Sequence, residues 1–545
     1  MSVEAAGPRG AANVSDLLRD RARAGSADAV ALVEAMGGDT RTWGQLDAEV
    51  DGLARGLSSL GLVAGQRVAF ALSNGTPFVV TYLAVLRAGL VAVPMNPHSA
   101  TGELVRMVAD SGARVVVCDA STVASVRTAV AGVQDALDAA TDELRARNPV
   151  PTLVVQGEAA QPGEVAWTDL AGRGSSEVVT PTDPERLGVL LYTSGTSGRP
   201  RGVMLSHRAL LANVAQVGAL DPPVMTSDDV VLGVLPLFHV YGLNAVLGQV
   251  LATGARLVLV DRFDAEQTLQ VVGDHGVTNL PVAPPVIAAW AGRADLAERL
   301  ERVRLLVCGA APLDADLSAL VADTTGVQVE QGYGLTETAP VVSSTLASGA
   351  RAAGADPDPD GVGGPLPGIE VGVVDPGGDE VRDGDLGEIR VRGDNLFSGY
   401  WPDAAEGPDP DGWWRTGDLA VRDRYGDLLL VDRLRELVIV SGFNVYPSEI
   451  ETVVSELDEV GETAVIGVPD EQTGEAVVAY VVAAAGGAGE AALVDRVRTH
   501  CEHRLARFKH PRRVVVVAGL PHSATGKVAK GRLRAQARRE TLGLA

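Results

Sequence analysis

Short apolar runs rich in β-branched residues recur along the first part of the chain. They are RVAFALS (67–73), ARVVVCD (113–119), RLGVLLYTS (186–194), DVVLGVLP (229–236), RLVLVD (256–261) and VRLLVCGA (303–310). Between several of them lie segments with apolar residues at helical spacing, such as GELVRMVADSG (102–112) and FDAEQTLQVVGDHG (263–276). Strand, helix and strand in repetition specify a parallel α/β sheet, because a parallel return needs a crossover helix. The expected fold class is α/β: a large N-terminal domain of mixed or parallel sheets flanked by helices.

The texture changes near residue 350. RAAGADPDPDGVGGPLPG (351–368) is a Gly/Pro/Asp loop, and IEVGVVD, GEIRVRG and DLLLVDR follow as short alternating strands. That reads as an antiparallel, β-rich subdomain over about 360–433. From about 433 the order is strand ELVIVSG, helix SEIETVVSEL, strands TAVIGVPD and AVVAYVVAA, helix EAALVDRVRTHCEHRL, strand RRVVVVAG. This predicts a small α+β domain over 434–545, set apart from an N-terminal domain over 1–433. At 545 residues the chain exceeds what one core organises.

Composition excludes several classes. The chain carries 46 Lys or Arg against 70 Asp or Glu, a net charge of −24, which argues against a general nucleic-acid binder. Cys118, Cys308 and Cys501 are far apart, with no CxxC pair. No disulfide framework or zinc site is expected, and a reducing cytoplasm fits. MSVEAAGPRG has no apolar core of a signal peptide. The apolar stretch around 240–260 is interrupted by Asn244, Gln249 and Arg256, so no integral membrane span is expected.

Five stretches carry polar chemistry. YTSGTSGRPRG (192–202) follows an apolar run, and backbone N–H groups freed by Gly195 and Gly198, with Thr193, Ser194, Thr196 and Ser197, could wrap an anion. It is no Walker A loop, and a plain Gly/Ser/Thr linker has the same composition. QGYGLTETAP (331–340) offers Tyr333 for stacking and Glu337 as a hard oxygen ligand, although TETAP is also an ordinary capping pattern. GWWRTGDLA (412–420) places Asp418 in a turn, VDRLRELVIVSGFNVYPSEIE spans 431–451, and SATGKVAKGRLR (523–534) holds Lys527 after a glycine. A lone loop lysine is normally just solvated.

Order and spacing change the reading. YTSGTSGRPRGVMLSH, LPLFHVYG, GAAPL, QGYGLTE, WWRTGD, DRLRELVIVSGFNVYPSEIE and TGKV occur in one sequence, in that order. Together they resemble the adenylate-forming superfamily over about 40–535. Within it the chain is most similar to bacterial medium/long-chain fatty acyl-CoA synthetases and to 4-coumarate-CoA ligases. The resemblance implies two half-reactions at one site. A carboxylate attacks the α-phosphate of ATP to give acyl-adenylate and pyrophosphate. A CoA thiol then attacks the acyl carbonyl and expels AMP. Mg²⁺ is implied as the cofactor.

The resemblance also implies roles. Thr193, Ser194, Gly195, Thr196, Ser197 and Gly198 would wrap the outer phosphates. Arg201 would add positive charge where many relatives have lysine. Thr336 would contact the α-phosphate and Glu337 would bind Mg²⁺. Gly309, Ala310 and Ala311 would flank the adenine, with Tyr333, between Gly332 and Gly334, stacked on it. Asp418 would take the ribose hydroxyls, with Arg433 nearby. His239 matches an acyl-pocket position, a buried structural histidine being the alternative. Lys527 matches the catalytic lysine of adenylation. Arg435 matches the hinge about which a mobile C-terminal domain turns, bringing Ser441, Gly442 and Phe443 to the CoA arm.

The acyl pocket is expected around 238–245, 308–312 and 332–342, where Val240, Tyr241, Leu243, Val341 and Val342 are mostly apolar. A medium or long-chain fatty acid is the first expectation and an aryl or alicyclic acid the second. An acyl-AMP ligase that loads a carrier protein is a third reading. A non-catalytic relative would be expected to lose Lys527 or Glu337, and both are present. A homodimer and a peripheral membrane contact are left open by the sequence.

Overall fold

The computed structural model describes residues 10–138, 150–172, 178–193, 201–311, 313–433, 436–440, 443–470, 473–484, 489–523 and 526–541. One sheet orders its strands Val165–Ala166, Thr152–Val155, Val115–Cys118, Arg67–Ala71, Val91–Pro94, Leu187–Thr193 and Arg201–Ser206. Its neighbours run parallel up to the last pair, which is antiparallel with Thr193 opposite Arg201. A second sheet runs Gly364–Pro365, Val341–Ser344, Val329–Gly334, Leu305–Cys308, Asn279–Val282, Val230–Gly233, Arg256–Leu259, Val30–Glu34 and Thr40–Thr42. Its centre is parallel and both ends close with antiparallel strands.

Helices make the parallel returns, as the alternation in the sequence requires. Thr76–Arg87 carries the chain from Arg67–Ala71 to Val91–Pro94, and Thr101–Ser111 carries it on to Val115–Cys118. Ala265–Asp274 and Ala315–Thr325 do the same in the larger sheet. Their starts are coded locally. The Asp264 carboxylate accepts from the Glu266 and Gln267 N–H groups, and Asp314 accepts from Leu317. Strands Val91–Pro94 and Val115–Cys118 are buried along their whole length, which is why they read as unbroken apolar runs.

The apolar stretch near 240–260 becomes a π-helix, Tyr241–Gly248, followed by an α-helix, Gln249–Thr253. No described helix is long and apolar enough to cross a membrane. Cys118, Cys308 and Cys501 are free thiols and all buried. Burial pushes the first two up to about 12 and the third to about 11.

The chain divides into two compact units. One is drawn from 1–193, 200–370 and 391–414, the other from 371–390 and 415–545. The second unit holds most of a four-stranded sheet, Glu370–Val374, Leu386–Arg392, Trp414–Arg422 and Leu428–Arg433. It also holds a five-stranded sheet built on the long antiparallel pair Val460–Asp470 and Gly474–Ala483. Helices Pro447–Ser455 and Glu490–Arg504 bury Ile450, Val454, Leu493, Val497 and Cys501 against Val465 and Val477 of that sheet. A final helix, Lys530–Thr541, sets Leu533 and Ala537 against Ile466 and Tyr480.

That final helix begins on a charged knot. The Lys530 ammonium lies 3.0 Å from Glu436 and 2.8 Å from Glu451. Burial opposes the charge on Lys530, yet the two carboxylates win and hold its proton more tightly than in a free lysine. Burial pushes Glu436 up, but Lys530 outweighs it and holds the carboxyl low, whereas Glu451 stays raised. Lys530→Met would leave two enclosed carboxylates without their main counter-charge, a loss of about 3–5 kcal/mol. The Lys530 contribution is complete below the ordinary lysine value of 10.5 and disappears as pH rises through the higher folded value. Calorimetry of the whole chain at neutral pH should therefore show a lowered transition in K530M, and the difference from wild type should shrink at strongly alkaline pH.

Candidate functional site

In the first unit, three parallel strands deliver candidate residues at their C-terminal ends, where open α/β sheets place their ligands. Val230–Gly233 leads to His239, Leu305–Cys308 to Gly309, and Val329–Gly334 to Thr336 and Glu337. His239 sits where the π-helix begins. Its Nδ1 accepts from the Tyr241 N–H at 3.3 Å, so a neutral ring carries its proton on Nε2. Tyr241 donates its hydroxyl to the Val307 carbonyl at 3.3 Å, and burial pushes that phenol well up.

The turn after Cys308 is tight. A Cβ on Gly309 would meet the Tyr241 ring at 3.1 Å. Ala310 holds φ 75°, a left-handed conformation that a side chain rarely adopts. Ala311 is half-buried, and Pro312 lies outside the described residues. On the next strand, Tyr333 is buried between Gly332 and Gly334 and lies opposite Ser343. A Cβ on Gly334 would stand 1.9 Å from the Pro340 carbonyl oxygen, so glycine is obligatory there.

Glu337 is only 8% exposed and lies in the short 3₁₀ turn Thr336–Thr338. The Tyr400 hydroxyl donates to its Oε1 at 2.7 Å. Among the described residues no group of three or more His, Cys, Asp or Glu could cage a metal ion. A single carboxylate with one oxygen engaged still suits Mg²⁺, which takes one or two protein oxygens and completes its shell with substrate phosphates and water. Thr193 and Arg201 face each other across the last strand pair. The Arg201 guanidinium forks onto Glu406, at 3.0 and 2.8 Å, and lies 3.6 Å from the centre of the Tyr400 ring. Ser194, Gly195, Thr196, Ser197 and Gly198 lie outside the described residues.

The second unit gathers a different set. Asp418 and Arg433 are register partners on adjacent strands, with Arg433 Nε 2.9 Å from Asp418 Oδ1. Asp418 is buried and Arg433 half-exposed. Lys527 sits in a loop closed by the bridge between His522 and Val528, and its N–H donates to the Ser523 hydroxyl at 3.2 Å. Its ammonium is pushed down to about 8, by burial first and by Arg433 next, against the pull of Asp418 and Glu436. The Lys527 residue as a whole keeps exposed surface. Phe443 is 56% exposed and stacks on Phe508 at 4.8 Å. Arg435, Ser441 and Gly442 lie outside the described residues.

Sequence reasoning missed Tyr400, Glu406, Glu436 and Lys530. Tyr400 follows Gly399 in FSGYW, an aromatic after a glycine with no pattern to single it out. Glu436 and Lys530 lie inside DRLRELV and GKVAK, beside Arg435 and Lys527, with no spacing of their own that marks them.

Comparisons with known proteins give one answer for both parts of the chain. The AMP-binding enzyme family matches residues 18–401, and the AMP-binding enzyme C-terminal domain matches 449–527. The chain is 35% identical to 4-coumarate--CoA ligase 5 of Oryza sativa subsp. japonica, over 93% of this chain and 92% of that protein. Among solved structures it is similar to ATP-bound MatB from Rhodopseudomonas palustris, with a TM-score of 0.83 and 31% identity over 96% of this chain and 99% of the other. A Mycobacterium tuberculosis fatty acyl CoA synthetase has a TM-score of 0.72 and 29% identity over 96% and 98%. The chain is an AMP-binding enzyme and belongs to the adenylate-forming superfamily.

Proposed function

We propose that this enzyme is an ATP-dependent acid–CoA ligase. The acid's carboxylate oxygen attacks the α-phosphorus of ATP, the bond to the β-phosphate oxygen breaks, and pyrophosphate leaves. The CoA sulfur then bonds to the acyl carbon of the adenylate, the thiol proton is released, and AMP leaves. The observation that carries this reading is the grouping of Lys527 with Asp418 and Arg433 within electrostatic reach of one another. One nucleotide engages all three: ribose hydroxyls on Asp418, the α-phosphate on Lys527, and ribose or phosphate on Arg433.

Two anions must meet in the first step, and a cation between them removes most of the repulsion. Lys527 supplies it, holding carboxylate and phosphate in line. The loop from Thr193 to Gly198 donates to the outer phosphates, Thr336 reaches the α-phosphate, and Glu337 takes the Mg²⁺, which when bound neutralises the polyphosphate. Gly309, Ala310, Ala311 and Tyr333 form the adenine slot. Arg435 is the hinge, and Ser441, Gly442 and Phe443 meet the CoA arm.

For the acid, the relative named for 4-coumarate supports an aryl acid as first substrate. Buried Val240, Leu243 and Val342 and the partly buried Tyr241 ring make an apolar surrounding consistent with it. A medium or long-chain fatty acid is the second reading, favoured by the fatty acyl CoA synthetase neighbour. Pyrophosphate and AMP release would be measured with 4-coumarate, benzoate and fatty acids of increasing length, with and without CoA. Pyrophosphate should appear with the preferred acid alone and AMP only once CoA is added. Acid-dependent pyrophosphate with no CoA-dependent AMP would overturn the CoA-ligase reading.

Lys527 gives a signed pH test. Its folded value of about 8 lies below the ordinary 10.5, so the ammonium is charged at neutral pH and discharges as pH rises through about 8. The kcat/KM of acid-dependent ATP–pyrophosphate exchange should fall through that point, since kcat/KM reports the free enzyme. Lys527→Ala should lower adenylation by about a hundredfold or more, while thioester formation from supplied acyl-adenylate continues. Adenylation at the wild-type rate in K527A would remove Lys527 from the mechanism.

A further inference from the structure

Glu337 is gripped by one short segment. Asn395 Nδ2 donates to the Thr338 carbonyl at 2.7 Å, the Phe397 N–H donates to the Glu337 carbonyl at 2.9 Å, and the Tyr400 hydroxyl donates to Glu337 Oε1. Tyr400 itself has little freedom. Its N–H donates to the Ala405 carbonyl at 3.0 Å, and its neighbours Gly399 and Trp401 bond Met204 and Gly202. Gly399 holds φ 107°, and a Cβ there would meet the Ala404 carbonyl oxygen at 2.2 Å, so only glycine permits this turn. The ring packs edge-on against Phe397 at 5.1 Å.

Arg201 lies on the Tyr400 ring while both ends of its fork engage Glu406. A guanidinium can stack and fork at once, and a lysine ammonium cannot. The Tyr400 hydroxyl is the donor of this bond, since an ionised carboxylate only accepts.

We propose that Tyr400 is a positioning residue for the Glu337 carboxylate, and that Arg201 serves this site through the Tyr400 ring, held by Glu406, rather than as a ligand of the phosphates. This rests on Glu337 as the carboxylate that meets Mg²⁺. A hydrogen bond to one carboxylate oxygen fixes the rotation of the group and leaves the other oxygen for the cation. Partners of this kind are worth about 10–100-fold in metal affinity. A cation over the ring face also draws electron density from the phenol and strengthens it as a donor.

The test uses the full-length enzyme and equilibrium binding of ATP, once in EDTA and once with Mn²⁺. The ratio of the two affinities is the enhancement due to metal. Tyr400→Phe should lower that enhancement about tenfold and leave ATP binding in EDTA unchanged. Arg201→Ala should lower it in the same direction, Glu406→Gln less so, and the Y400F/R201A double variant should lose no more than Y400F alone, because the two act in series. An unfolding temperature near wild type in Y400F verifies that the fold is intact.

Three outcomes separate the failures. If Glu337→Gln abolishes the enhancement and Y400F keeps it in full, the positioning role is overturned. If R201A weakens ATP binding in EDTA, Arg201 is a phosphate ligand and its part of the proposal falls. If E337Q keeps the enhancement, the metal role of Glu337 fails, and this inference goes with it while the ligase reading remains to be judged on its own products.

Discussion

A parallel strand must be covered on both faces, and that constraint shapes the first unit. Strands such as Val91–Pro94 and Val115–Cys118 offer no face to water, so each needs helices on both sides and a crossover to begin the next strand. The crossovers point successive strands the same way and leave their C-terminal ends together along one edge. His239, Gly309, Tyr333 and Glu337 lie at or just beyond such ends. The candidate residues stand there because a parallel sheet's strand ends are the places where the backbone is free to turn, donate and bind.

The second unit is held differently. Its five-stranded sheet, antiparallel but for the last pair, packs one face on two helices, and among the described side chains the last helix adds Leu533 and Ala537 to the core. The first turn of that helix is also held ionically, with Lys530 against Glu436 and Glu451. The same Glu436 pulls on Lys527, so the lysine that would serve adenylation shares a counter-charge with the lysine that anchors the helix. Enclosure and Arg433 lower the Lys527 ammonium to about 8, close to neutrality, without discharging it.

The α/β alternation was legible because repeated apolar runs leave few other folds, and the strands and helices expected for 437–517 stand close to where the periodicity put them. The final helix was not. KGRLRAQARRET shows two apolar contacts at i and i+4 among many charges, too little for a pattern to register. The π-helix at Tyr241–Gly248 was also hidden, since an extra residue per turn leaves no mark in composition. Candidate residues inside a motif could be named from it, because the motif fixes spacing. Tyr400 and Glu406 could not, because their importance comes from long-range contacts to Glu337 and Arg201.

The three thiols have a practical bearing. Thiol–disulfide exchange runs through the thiolate, and a buried cysteine raised to between about 11 and 12 supplies almost none at neutral pH. A protein that handles a free thiol as co-substrate is thereby spared mixed disulfides with it. A thiol-reactive dye added to a working assay will count the small-molecule thiol being consumed, with no background from the native enzyme, and any rise in that background during storage reports unfolding.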